Sequence, residues 1–576
     1  MIGLKGKTPD AQKSPREVAE GPIFSSQPPH LSRRKWLKLA GVPTLTAFGA
    51  AVDSQAIAQS RASKTLDRPL TRRWNLACPH IQDSPGADVL ADRLGQKWPV
   101  RSLAGLFPEA TLKTWERFLD ECSKMTSSGK HPDPVLAELL GLELAKPQRD
   151  LNDLPTPVRS LVSQRRIRAR PKRWSTSRFD LYSFASTSAT RNIATVVEET
   201  HRAWCELFFP FWNQSQLVEN HFSATQSRRL QGRPNLRRQQ KFKIVVFANA
   251  NQYQDALSAD VPNASQSTGF YHDASDATYL YPAEETKTLR HEVTHQLFRR
   301  ATSAPTSNDF VPGRAEDFWI VEGIAGYFES LRSVEQSLVI GGWDSDRLQY
   351  ARYRVLAGGD QYALESLRKD GRDEAQQLKD LARWYAHAIM RTHQAMDGRD
   401  EDRRWFYRTL ARVYRLEDQL IRSNAPEPPP EGGVEDFLQV DDNLAQTNPI
   451  TPEQRSLCLC GCSISDTSLS QFHSLPNLQW LDLSRIQTVN LQTVINLVAD
   501  PKSLTQLTLD GTPIADFDAE SFAIWVSSLR NLEQLDLSWL GIDDGVVRAM
   551  AGLTRLRTLW LTGCPISDDS VGTLAR

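Results

Sequence analysis

His291-Glu292-Val293-Thr294-His295, with Trp319-Ile320-Val321-Glu322-Gly323-Ile324-Ala325 after a short gap, decides how this chain is read. Residues four apart share one helix face, so His291 and His295 can offer two imidazoles to a single metal ion. Glu292 stands one position round from that face, where it can act as a base beside the metal without ligating it. Leu289 and Val293 point the other way, into a core. A catalytic zinc keeps three protein ligands and one open position. Glu322 is the natural third ligand, because a carboxylate flanked by apolar residues needs a partner. With 11 histidines in 576 residues, the motif arises by chance in roughly one such chain in a hundred. Ala283-Glu284-Glu285 suits a helix start just before it.

The helix-forming run Trp319 to Tyr327 after HExxH resembles the gluzincin metallopeptidases, and also a little-characterised group of exported bacterial proteins with that domain. The likeness spans roughly 175 to 400 and is strongest over 285–330. It implies one Zn2+ per chain on His291, His295 and Glu322, with Glu292 as the base. It also implies a hydroxyl or imidazole donor for the oxyanion from a later helix, for which Tyr385 and His387 are the candidates. Two departures stand out. Twenty-six residues separate His295 from Glu322, more than in the best-known members. Gly326 occupies the position where some members carry an acid that holds a ligand histidine. Glu329, two turns after Glu322, can substitute, although such a residue is more often a solvated charge. Tyr327 is expected to pack beneath the ligand helix.

Around this motif, strand and helix alternate: strands at 179–184 and 243–247, helices at 187–209 and 252–258, and a hairpin of 268–272 with 278–281. In the gluzincin pattern an edge strand beside the HExxH helix pairs with an extended substrate. His272, on that hairpin, reads as a solvated histidine. Downstream, 377–394 reads as a helix.

Ala425-Pro426-Glu427-Pro428-Pro429-Pro430-Glu431-Gly432-Gly433 has linker composition. Beyond it Leu-x-x-Leu-x-Leu recurs, and its central leucines 457, 481, 507, 535 and 559 are spaced 24, 26, 28 and 24 apart. Those periods fall in the leucine-rich-repeat range. Cys462 and Cys564 then occupy the position where such repeats bury an Asn or Cys. Cys458 and Cys460 fall on the strand's outward side, adjacent but not a closed metal site. Trp480, Asp482, Gln506, Asp510, Gln534, Asp536 and Trp560 lie on the concave face and suit a protein partner.

The domains follow: a twin-arginine signal at 1–58, a mainly helical N-terminal region at 59–170, a gluzincin-like peptidase domain at 171–424, a linker at 425–450 and leucine-rich repeats at 451–576. The signal rests on Ser32-Arg33-Arg34-Lys35-Trp36-Leu37-Lys38, an apolar stretch too short for a membrane span, and Ala56-Ile57-Ala58 as a cleavage site. It points to a periplasmic or extracellular protein. The expected fold class is an α+β zincin-like catalytic domain followed by an α/β leucine-rich-repeat solenoid, after a helical N-terminal region. Formal net charge is zero, so nucleic acid is not an indicated partner. The basic run 165–173 reads as an exposed connector. Seven cysteines form no evident disulfide framework.

These features lead to an exported zinc metallopeptidase acting on peptide or protein substrates, with the repeats docking substrate or partner. The alternatives are a catalytically inactive zinc-fold scaffold that binds protein through its repeats, and a metal hydrolase for non-peptide amides.

Overall fold

A computed structural model describes residues 76–77, 98–124, 133–140, 144–148, 154–155, 159, 170–227, 240–257, 267–283, 286–302, 310–334, 337–421, 429, 433–447, 450, 454–472, 474–515 and 517–574. The signal at 1–58, Cys78, the acids Glu284 and Glu285, and most of the 425–433 linker lie outside them.

Five strands make the sheet of the central unit: β1 (Lys172–Ser175), β2 (Phe179–Ser183), β3 (Phe242–Val246), β4 (Gly269–His272) and β5 (Ala277–Leu280). Their order is β1-β2-β3-β5-β4. β2, β3 and β5 run parallel, and β1 and β4 lie antiparallel at the two edges. The basic run is therefore not wholly a connector. Lys172 and Arg173 open strand β1, and Arg173 donates to the Asp180 carboxylate at 2.8 Å across the pair. An opposite charge on the neighbouring strand makes a strand of residues that composition alone assigns to solvent.

The N-terminal helix α1 (Glu109–Cys122) buries Leu112, Trp115, Phe118 and Leu119. These side chains enter the same core as helix α2 (Thr187–Leu207), and Trp115 Nε1 donates to the Glu206 carbonyl at 2.6 Å. Helix α3 (Lys287–Ala301) carries the HExxH motif and packs between α2 and helix α4 (Phe318–Phe328). Every residue of α4 is buried. Helix α5 (Asp346–Arg352) follows, continued by a π-turn at Tyr353–Ala357. Helix α6 (Leu381–Asp397) lies directly on α4, close enough that a Cβ at Gly323 would strike Thr392 and one at Gly326 would strike Ile389. α6 starts four residues later than its apolar pattern suggests. The Asp380 carboxylate caps it by accepting from the Arg383 amide, and Arg372–Gln376 forms a separate short helix.

At the C-terminal end five short strands stack in parallel: β6 (Ser456–Cys458), β7 (Trp480–Asp482), β8 (Gln506–Thr508), β9 (Gln534–Asp536) and β10 (Thr558–Trp560). Leu457, Leu481, Leu507, Leu535 and Leu559 stand directly opposite one another along this ladder. A helix follows each of the five strands, and in the second and third repeats a two-residue strand, Val489–Asn490 and Ile514–Ala515, comes before it. Burying one such leucine contributes about 1.5–3 kcal/mol. The Thr512 hydroxyl and the Cys564 thiol, at matching positions, both donate to the last strand leucine of the repeat before, Leu483 and Leu537.

The array's first strand rests on α5. The Arg352 guanidinium donates to the carbonyls of Leu438, Cys458 and Trp343, and Gln349 accepts from the Cys458 amide. Trp480, Asp482 and Gln506, expected on an open partner face, are buried here. Tyr353 meets Trp480 edge-on. This chain's own helix covers that part of the concave face, leaving Asp510, Gln534, Asp536 and Trp560 partly exposed. Among the described residues no helix is long and apolar enough to cross a membrane.

Candidate metal centre

α3 and α4 bring three donors together. His291 Nε2 lies 3.3 Å from Glu322 Oε2, and His295 Nε2 lies 3.7 Å from Glu322 Oε1. The ligand atoms of His291, His295 and Glu322 all fall within 4.8 Å of one another. Two imidazole nitrogens and one carboxylate are a donor set that zinc accepts, with a position left open.

The histidine orientation is fixed from behind. His291 Nδ1 pairs with Glu329 Oε1 at 2.8 Å, which turns Nε2 towards the cluster. Glu329 is buried, not solvated, and the Arg347 guanidinium grips both its oxygens at 2.7 and 2.8 Å. Seven helical residues fall about 20° short of two turns, whereas four overshoot one turn by about 40°. Glu329 therefore lies closer to the azimuth of Glu322 than position 326 does. Gly326 meanwhile is needed for the approach of α6.

Burial pulls the His295 pKa down to about 3 and keeps that ring neutral. Burial acts likewise on His291, but the carboxylates of Glu322 and Glu329 outweigh it and push His291 up to about 10. Burial would raise Glu322, yet the two histidines hold it down to about 2. Burial lifts Glu292 to about 7, and its Oε2 accepts the Tyr271 amide of edge strand β4 at 2.7 Å.

A small cavity opens beside Glu292, His295 and Glu322, walled by Tyr271, Val321, Arg372 and Tyr414. Tyr385 reaches the cluster from α6, but its hydroxyl donates to Glu322 Oε2 at 3.0 Å. The tyrosine therefore braces the Glu322 carboxylate instead of facing the cavity. His387 does not join the site: its ring lies 3.9 Å from Asp360 and against Tyr362. Two residues on a helix are about 200° apart, so Tyr385 and His387 cannot share a face. Tyr327, on α4, turns to α6, with its hydroxyl donating to Asp397 at 2.6 Å and its ring against His393. His272 bonds Ser275 at 2.8 Å, within its own hairpin.

Sequence reasoning missed Arg372 and Tyr414 altogether. Both arrive from distant segments, and Gly371 lets the chain pass against the Arg314 carbonyl to deliver Arg372. No local pattern marks either one. Searches for a matching family model, a similar curated protein and a similar solved structure found none.

Proposed function

We propose that this chain is a zinc-dependent metallopeptidase, built as a zincin-like α+β unit followed by a leucine-rich-repeat solenoid and exported through the twin-arginine route. The observation that carries the reading is the convergence of His291, His295 and Glu322 on one buried point, with Glu292 held beside it at a cavity. His291, His295 and Glu322 would hold the ion. When bound, zinc activates water and polarises a scissile carbonyl.

The chain's own groups supply the rest. Glu292 takes the proton of the attacking water and passes it to the leaving amine. The Tyr271 amide fixes which carboxylate oxygen points away from the strand. Apart from the Tyr271 amide held by Glu292, β4 at the sheet edge next to α3 offers main-chain groups to an extended peptide. Two cations line the cavity, and since Arg299 is paired with Asp273, half-buried Arg372 is the one assigned to the developing oxyanion. Tyr385 holds Glu322 in place.

The test compares the full chain with His291→Ala for zinc content, and with Glu292→Gln for hydrolysis of a casein-like unfolded substrate. Expected is one zinc equivalent lost in His291→Ala. Glu292→Gln should keep that zinc while hydrolysis falls about 10²–10⁴-fold. An active Glu292→Gln protein removes Glu292 as the base. Zinc unchanged in His291→Ala sinks the ligand assignment. A second reading, an inactive zinc-fold scaffold, draws support from Tyr385, whose hydroxyl is already committed to Glu322. Retained zinc with no hydrolysis of any peptide or amide substrate selects it.

A further inference from the structure

Where the repeat array meets α5, three fully buried side chains face one another: Cys458, Cys460 and Asp482. Cys458 and Cys460 are two apart on an extended segment, so their side chains leave by the same face. Asp482 stands directly opposite Cys458 on the neighbouring strand. The two sulfurs are 3.4 Å apart, and Cys458 Sγ is 3.8 Å from Asp482 Oδ2. The repeat pattern alone leaves the cysteines as an incomplete pair. The next repeat, folded alongside, supplies the third donor.

These separations match a tetrahedral site. With Zn–S near 2.3 Å and Zn–O near 2.0–2.2 Å, two thiolates sit about 3.8 Å apart and a thiolate and a carboxylate oxygen about 3.5–3.7 Å. The two pairs through Cys458 need shifts of only a few tenths of an ångström, and all three donor atoms lie within 4.8 Å of one another. Asp482 Oδ1 is taken by the Ser484 amide and hydroxyl at 3.0 and 2.6 Å, leaving Oδ2 turned to the sulfurs. The Arg352 carbonyl, 3.6 Å from Cys460 Sγ, is a further oxygen at hand.

Charge favours the same arrangement. Arg352 is buried, and its guanidinium donates to carbonyl and amide oxygens, none of them charged. Two thiolates, one carboxylate, one guanidinium and one divalent cation sum to zero, so no net charge stays in the low-dielectric interior. The sum also closes with both thiols protonated and no metal, and that is the outcome against which the proposal is tested.

We propose that Cys458, Cys460 and Asp482 form a second metal site, taking a thiophilic divalent cation such as zinc, which ties the first two repeats together beneath α5. Its ligands come from two successive repeats and its cover from α5, so the ion is loaded as the chain folds. The site stands apart from the metallopeptidase reading and uses none of its residues.

The experiment expresses the full chain with cobalt in place of zinc and reads the near-ultraviolet thiolate-to-cobalt charge-transfer band, which a histidine–carboxylate site cannot give. Wild type and His291→Ala should both show the band. The Cys458→Ser/Cys460→Ser double variant should lose it. Asp482→Asn should keep it while binding cobalt at least tenfold more weakly in competition with a chelator. Should the double variant fail to fold, Cys460→Ser alone removes one thiolate and should reduce the band by about half. No band in folded wild-type protein, a band that survives the double variant, or a mass two hydrogens short that maps to a Cys458–Cys460 disulfide each overturns the proposal.

Discussion

The central unit and the repeat array bury different things. The array closes on an apolar ladder of leucines, each opposite its counterpart in the neighbouring repeat. The central unit has a large apolar core as well, but within it lies a charge cluster: His291, Glu322, Glu329 and Arg347 are all nearly inaccessible to solvent and hold one another. An apolar core tolerates loss of a contact in proportion to the volume removed. A buried charge network fails when one member goes, because its partner is left unpaired in a medium that penalises it.

The largest expected effect follows from that contrast. Arg347→Ala takes away the guanidinium that grips both oxygens of Glu329, leaves His291 alone against that buried charge, and should cost about 3–5 kcal/mol of stability in denaturant unfolding, with loss of metal affinity at the His291 cluster. The double variant Glu329→Gln/Arg347→Met should recover part of that stability, since no lone charge remains. If Arg347→Ala alone costs under about 1 kcal/mol, Glu329 is not held as a charge and the contrast between the two regions collapses.

The matching change in the array is Leu507→Ala, at a fully buried rung between two others. It should cost about 3 kcal/mol, in the middle of the usual Leu→Ala range. Metal content at the His291 cluster should not change. Loss of that metal in Leu507→Ala would mean the two regions cannot be perturbed separately.

What the sequence made legible follows the same division. The meeting of His291, His295 and Glu322 was readable because helical periodicity is local and the apolar context of Glu322 demands a partner. The leucine rungs were readable because a fixed period repeats one contact. The bracing of His291 was half readable: Glu329 lies on the right helical azimuth, but Arg347 comes from a different helix 18 residues on. The direction of His387 was open to a geometric argument, since it and Tyr385 differ by two residues. The covering of Trp480 and Asp482 was not readable at all. It depends on how the Tyr353 turn packs against the first strands of the array, and no pattern within either segment encodes that docking.

The smallest effect separates bracing from catalysis. Tyr385 donates its one proton to Glu322 Oε2, an oxygen that also faces His291 at 3.3 Å. If the hydroxyl positions that carboxylate, Tyr385→Phe should weaken metal binding by about tenfold to a hundredfold. Turnover per bound metal should then stay near that of the unaltered chain, because Arg372 remains at the cavity wall. If instead the hydroxyl swings to the substrate during reaction, metal affinity should hold and turnover should fall, by about 10²–10³-fold for a lost oxyanion donor. Metal titration and turnover at saturating metal give opposite answers for the two roles. The buried position of Tyr385 and its hydrogen bond to the Glu322 carboxylate favour the first, since swinging out would leave Glu322 without its only tyrosine donor among the described hydrogen bonds.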